Sequence, residues 1–202
     1  HDSATLAVPG GTTPGPIFDV LCAADLDWSR VRVLLSDERW VPETSDRSNT
    51  RLLRERLLVN RAAAATLVPL YTDAPEPEGQ LEGLSAALTP HLPLSVLLLG
   101  MGADMHTASL FPGADRLADG LDAHAPPLMA MRAPGAPEPR VTLTAPVLDA
   151  AIAKHVVITG AEKRAALKAM AVDDKLTPED RFGARLKIGR AHVFQSLRET
   201  SY

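Results

Sequence analysis

The segment from Gly100 to Gly113 reads GMGADMHTASLFPG and follows directly on the apolar run Leu94 to Leu99. An imidazole titrates near neutrality, which makes His106 a candidate general base at pH 7. Asp104, Thr107 and Ser109 add an acid and two hydroxyls around it, and the glycines let the backbone turn sharply enough to present its amides. A buried strand that opens into such a turn delivers these groups to its carboxyl end, where open α/β sheets bind ligands. The segment therefore reads as an active-site loop.

Two other segments carry chemistry at the ends of apolar runs. Leu6 to Val8 is followed by Pro9, Gly10, Gly11, Thr12, Thr13 and Pro14, a strand leaving into a tight polar loop of a size to cradle a phosphate. Val31 to Leu35 ends at Ser36, Asp37, Glu38, Arg39 and Trp40, which concentrates two acids, a guanidinium and an indole where a strand emerges. Salt-linked surface residues or an ordinary strand-to-helix turn would be the plainer accounts of each. Lys163 and Arg164 fall in the first turn of a helix predicted from Ala161 to Ala171, where cations oppose the helix dipole unless an anion lies nearby.

The elements that must position these groups alternate between strand and helix. Pro16 can start a helix running to about Ala24. Ser48 and Asn49 can cap another that reaches about Val59, with Leu52, Leu53, Leu57 and Leu58 on its apolar side. Leu67 to Leu70 reads as a short strand and Glu78 to Leu88 as a helix buried through Leu81, Leu84 and Leu88. Ser95 to Leu99 is the clearest interior strand, because a continuous Val/Leu run suits a sheet covered on both faces. The proline-, alanine- and glycine-rich stretch from Ala114 to Pro139 is expected to be a surface excursion with a short helix near Leu117. Val141 to Leu143 and Val156 to Thr159 complete the strands, with a helical turn between Thr144 and Ala151. The tail from Asp173 to Tyr202 is the least legible part, apolar only near Val193 and Phe194.

The chain has 202 residues, 46% hydrophobic and 23% charged, which suits one compact domain over residues 1–202. A formal charge of −4 gives no general attraction for nucleic acid or an anionic membrane, so a phosphorylated ligand needs a local cluster of cations. Cys22 is the only cysteine, which excludes an intrachain disulfide and a cysteine-rich metal site. No apolar stretch approaches membrane-spanning length, and the amino end lacks the pattern of a secretory signal, so a cytoplasmic location is expected.

GGTTP at 10–14, SDERWVP at 36–42, SN at 48–49, the histidine segment at 100–113, PRVTLT at 139–144 and GAEKRAAL at 160–167 occur in the order seen in 6-phosphogluconolactonases. Over approximately residues 5 to 170 the chain resembles that family closely, and the long histidine motif is far more specific than any glycine motif alone. The related glucosamine-6-phosphate deaminases usually have tyrosine after the Asp-Glu pair and an Asn-Glu segment after the histidine. Arg39 and the Thr-Ala-Ser-Leu-Phe-Pro run favour the lactonase branch. Three departures stand out: Ala103 for a commonly acidic or polar residue, Met105 for the usual glycine before histidine, and only nine residues ahead of Gly10 where relatives carry further helical sequence.

The resemblance implies an α/β, three-layer Rossmann-like fold with a mainly parallel sheet, atypical or incomplete at both termini, and no dinucleotide site. It implies hydrolysis of 6-phosphoglucono-δ-lactone to 6-phosphogluconate in the pentose phosphate pathway without metal or other cofactor. The partner is then a small phosphosugar lactone, with no nucleic acid or membrane partner, and the chain a monomer or weak homodimer. A noncatalytic phosphosugar-binding protein and a glucosamine-6-phosphate deaminase are the alternatives. Within the lactonase reading His106 takes the proton of the attacking water and returns it to the ring oxygen. Asp37 orients the imidazole, with Asp104 as an alternative orienter or a cap of its own loop. Backbone donors near Gly100 and Gly102 face the oxyanion. Gly10, Gly11, Thr12 and Thr13 cradle the phosphate, with Arg39, Arg140 and Lys163 supplying charge, and Glu38 braces Arg39 or a neighbouring amide.

Overall fold

A computed structural model describes residues 3–172 and a strand at Ala191–Gln195. In chain order its first half contains β1 (Ala4–Val8), α1 (Gly15–Leu21), β2 (Val31–Leu35), β3 (Asp37–Arg39), α2 (Asn49–Arg56), β4 (Thr66–Leu67), α3 (Leu81–Leu88) and β5 (Val96–Gly100). Its second half contains α4 (Leu117–Leu121), β6 (Leu128–Met131), β7 (Arg140–Leu143), α5 (Ala145–Ala150), β8 (Ala153–Ile158), α6 (Ala161–Val172) and β9 (Ala191–Gln195).

The main sheet has the order β4-β2-β1-β5-β8-β9, and every pairing in it is parallel. This is the Rossmann-like α/β architecture with a mainly parallel central sheet flanked by helices. The chain winds outward from β1 through β2 to β4, returns to the other side of β1 as β5, and continues outward through β8 to β9. The loops that leave β1 and β5 therefore diverge from adjacent strands, which opens a crevice at their carboxyl ends. The apolar runs that announced these strands are buried as expected, with Ala7, Val8, Val33, Leu34, Leu97 and Leu99 all within 1% of full burial.

The helices cover this sheet through the side chains their spacing selected. Leu53 and Leu57 of the α2 region and Leu88 of α3 are completely enclosed, each such burial contributing about 1.5–3 kcal/mol. Leu52 and Leu58, expected on the same stripe, are only half-buried. Ser48 caps α2 by accepting the Arg51 N–H at 3.1 Å. The strand expected over Leu67 to Leu70 is shorter, because Pro69 has no N–H to continue the ladder. Among the described residues no helix is long and apolar enough to cross a membrane.

A second sheet was not foreseen. β3, β7 and β6 form a three-stranded antiparallel unit in that order. The stretch from Ala114 to Pro139 does contain the short helix near Leu117, but it is no mere surface excursion, since all four residues of β6 are buried. Its Leu-Met-Ala-Met composition lacks the β-branched residues that mark a strand, and tertiary pairing decides its conformation. The same holds for β3, whose three residues are all charged. Most of the tail from Asp173 lies outside the described residues. Val193 and Phe194 fall in β9, which pairs in register with β8.

Candidate active site

A cavity of about 260 Å³ occupies the crevice between the loops that leave β1 and β5. Most of the residues singled out from the sequence reach its wall, whereas Glu38, Asp104, Thr107 and Ser109 do not line it. The β1–α1 loop supplies Gly10, Gly11, Thr12 and Thr13, the small sheet supplies Asp37, Arg39 and Arg140, and α6 supplies Lys163. The chain leaving β5 supplies Gly100, Gly102 and His106.

The histidine loop is held by its own backbone. Gly102 N–H donates to the His106 carbonyl at 2.9 Å, and Met105 N–H donates to the Gly102 carbonyl at 3.1 Å. Closing this turn places Met105 at φ 69°, in the left-handed region that favours glycine, at a cost of about 1–2 kcal/mol for a side-chain-bearing residue. The Met105 side chain packs partly buried against the core, which offsets that cost. Within the turn His106 Nδ1 lies 2.6 Å from Asp104 Oδ1, and the His106 N–H points to the same oxygen at 3.4 Å. Gly102 lies directly beneath this pair, so that a methyl group there would overlap both the carboxylate and the imidazole. The imidazole packs on Phe111, ring centroids 4.1 Å apart and planes at 36°. The Arg140 guanidinium sits over the same phenyl ring, its Cζ 5.0 Å from the centroid.

The small sheet organises the opposite wall through its register. Asp37 pairs with Thr142 and Arg39 with Arg140, so strand alternation places all four on one face and Glu38 on the other. Like charges directly opposite each other destabilise an antiparallel pair, and here both arginine Nε atoms are buried without a hydrogen-bond partner. Arg39 Nη1 donates to the Arg47 carbonyl at 2.6 Å. Burial pulls the Arg140 guanidinium below its ordinary pKa; Asp37 pulls it back up and Arg39 pushes it further down. The nearest Asp37 oxygen is 3.9 Å from Arg140 Nη1. Glu138, bound to Arg47, is a second counter-charge, and a partly desolvated cation pair to which neither acid hydrogen-bonds is a seat for an anion.

Glu38 is the hidden support of that wall. It is fully buried and accepts the N–H groups of Arg39, Asn49 and Thr50 at 2.7, 2.8 and 2.6 Å, together with the hydroxyls of Thr50 at 2.6 Å and Ser48 at 3.3 Å. Burial pushes its carboxyl above the usual range, against the downward pull of the bonds from Thr50, Asn49 and Arg39. Its place at the start of α2 suits a negative charge. The clamp seats Asn49, whose Nδ2 donates to the Asp37 carbonyl at 3.0 Å and whose amide fills the space a side chain at Gly10 would need. Gly10 thus answers to a close approach within the fold. Asn49 lines the cavity too, although the sequence presented it only as a helix cap.

Two expected roles do not fit this geometry. Asp37 does not orient His106: it takes hydroxyl bonds from Ser36 at 3.0 Å and Ser109 at 2.6 Å, and the imidazole is partnered by Asp104. Asp104 stands two residues from the histidine in a tight turn, whereas Asp37 is fixed to the buried sheet, so the local acid reaches the ring first. The Gly102 amide is spent closing the loop and is not free to face an oxyanion, while Gly100 ends β5 in register with Val157. Phe111 stands in the sequence only as a letter of the motif and Ser109 only as a hydroxyl near the histidine, and the folded turn reveals what they touch. Among the described residues no group of three or more His, Cys, Asp or Glu is arranged to hold a metal ion.

A family model described as glucosamine-6-phosphate isomerases/6-phosphogluconolactonase matches residues 1–187. A 6-phosphogluconolactonase of Rhizobium meliloti is 49% identical over 146 residues, which is 70% of this chain and 62% of that protein, so the match spans less than two thirds of that relative. A 6-phosphogluconolactonase of Caulobacter vibrioides is 37% identical over 196 residues, covering 96% of this chain and 82% of its own. The crystal structure of a 6-phosphogluconolactonase from Shewanella baltica superposes with a TM-score of 0.87 at 32% identity, over 96% of this chain and 83% of that one.

Proposed function

From the premise that the chain belongs to the glucosamine-6-phosphate isomerase/6-phosphogluconolactonase family, we propose that it hydrolyses 6-phosphoglucono-δ-lactone to 6-phosphogluconate, with His106 as the general base. The observation that carries the reading is one cavity holding both a carboxylate-partnered imidazole and two arginines whose buried Nε atoms have no hydrogen-bond partner.

The chemistry follows from which nitrogen is free. With Nδ1–H held by Asp104, Nε2 keeps its lone pair and removes a proton from water, while the water oxygen bonds to C1 of the lactone. Asp104 then stabilises the imidazolium as the carboxylate of a catalytic triad does. When the tetrahedral intermediate collapses, the bond from C1 to the ring oxygen breaks and Nε2–H returns the proton to that oxygen. No covalent enzyme intermediate is required. Gly100 remains the backbone candidate for the oxyanion.

The phosphate end is matched by charge. Arg39, Arg140 and Lys163 against the one lining carboxylate, Asp37, leave a surplus of two positive charges, against about −1.5 to −2 on a phosphate monoester at pH 7. The Gly10 to Thr13 loop adds backbone and hydroxyl donors at the strand end. The test is proton release from freshly generated 6-phosphoglucono-δ-lactone against the spontaneous background, by the wild type and by His106→Gln. Turnover well above background that falls by about 10²-fold or more in the variant supports the reading. Phosphosugar binding without turnover by the wild type overturns it in favour of a noncatalytic binding protein.

A further inference from the structure

The aromatic ring of Phe111 is out of place for a packing residue. It is only half-buried and stands outside the apolar cluster that forms the core and outside the partly buried side chains packed on that cluster. Its ring contacts are instead two functional side chains, the His106 imidazole and the Arg140 guanidinium. The turn between His106 and Phe111 is shaped to make that contact. Leu110 N–H donates to the Thr107 carbonyl at 3.1 Å, the two residues form an isolated bridge, and Ala108 takes φ 51° to close the turn. The chain thereby doubles back, and a residue five positions after the histidine covers its ring.

We propose that Phe111 is a positioning residue that acts on both ends of the substrate at once, fixing the base through one contact and the anion-binding guanidinium through the other. The proposal rests on the lactonase reading for its kinetic consequences only. An imidazole hydrogen-bonded at Nδ1 alone can still swing about that bond, and a flat apolar face against the ring removes that freedom. A cation beside an aromatic face is stabilised by the ring quadrupole, so the same phenyl group holds Arg140 and favours the imidazolium that forms when His106 takes a proton. A leucine would fill much of the volume but offer no π face to either partner.

The kinetic test compares Phe111→Leu with Phe111→Tyr. We expect Phe111→Leu to lower kcat and raise KM for the phosphorylated lactone by about five- to tenfold each, and Phe111→Tyr to stay within about twofold of the wild type. His106→Gln should move kcat alone and Arg140→Ala chiefly KM, so the joint effect is the signature of a residue serving both. Two further measurements need no turnover. In the NMR spectrum of the intact wild type the His106 ring protons, assigned by their loss in His106→Gln, should lie upfield under the Phe111 ring current and move downfield in Phe111→Leu. Inorganic phosphate should bind Phe111→Leu about five- to tenfold more weakly than the wild type. Unshifted His106 ring protons in the wild type overturn the proposal, as do wild-type kinetics in Phe111→Leu or a tyrosine variant as impaired as the leucine one. If the wild type shows no lactone turnover, the functional reading fails, and the ring-current and phosphate measurements still decide the role of Phe111.

Discussion

The histidine loop and the small sheet, which meet at the cavity, both carry carboxylates, and they use them in opposite ways. On the histidine loop, Asp104 has a side chain 52% exposed and is held by little besides the ring it partners. On the small sheet, Asp37 is 9% exposed and Glu38 is enclosed completely, and each is held by hydroxyl or amide donors. The exposed acid stands where it can support a proton that comes and goes, while the buried acids fix a scaffold. In sequence the three are nearly indistinguishable, and the order of their importance to chemistry is set by what the fold leaves free.

The sharpest way to test that division is to remove the groups on each side in turn. His106→Gln should reduce kcat by about 10²-fold or more with little change in KM, as read from initial rates of proton release. Asp104→Asn should follow, with a loss of about ten- to a hundredfold in kcat, and Asp37→Asn should cost less. Equal losses from the two Asp substitutions would erase the distinction between the loop and the sheet. Arg39→Ala and Arg140→Ala should each lower kcat/KM on the phosphorylated lactone by about ten- to a hundredfold, since a charge-assisted hydrogen bond contributes about 1.5–3 kcal/mol. The corresponding unphosphorylated lactone is the control, and an equal loss on both substrates would assign the arginines to folding.

Glu38→Gln tests the scaffold itself. An amide cannot accept all the bonds the carboxylate accepts, so urea denaturation should show a loss of about 1–3 kcal/mol. The pH dependence has a definite sign. Because burial raises the Glu38 pKa, its contribution is fullest below the unfolded value of about 4.3 and fades as pH rises through the higher folded value. The wild type should carry this downward slope and the glutamine variant should lack it; a variant as stable as the wild type at every pH would show that the clamp is idle. The smallest effect is expected at Met105. Met105→Gly relieves the left-handed backbone and gives up a partly buried side chain, and calorimetry should place it within about 1 kcal/mol of the wild type.

What the sequence disclosed follows the strength of local signals. The interior run ending at Gly100 is legible because valine and leucine follow one another there without interruption, and the strand over Val31–Leu35 because they fill every position but Arg32. The cavity wall was legible because its residues follow such strands directly. β3 and β6 were not, since charged residues in one and methionine, alanine and leucine in the other become strands only by pairing with β7. Asp37 reads as the orienting acid because loops at adjacent strand ends can meet whatever their separation in sequence, and spacing cannot report burial. Met105 was noticed as an intruder on a glycine position, and its φ of 69° shows why glycine suits that place.

The pairing of β3 with β7 also constrains how this chain can change length. Inserting one residue within Asp37–Arg39 would exchange the two faces of the strand, turning Glu38 toward the cavity and driving an arginine into the space beside α2. The connections 43–47, which follows β3, and 133–138, which leads into β7, run between elements and carry no such parity. Insertions and deletions should therefore be accommodated there more readily than within the three charged residues of β3.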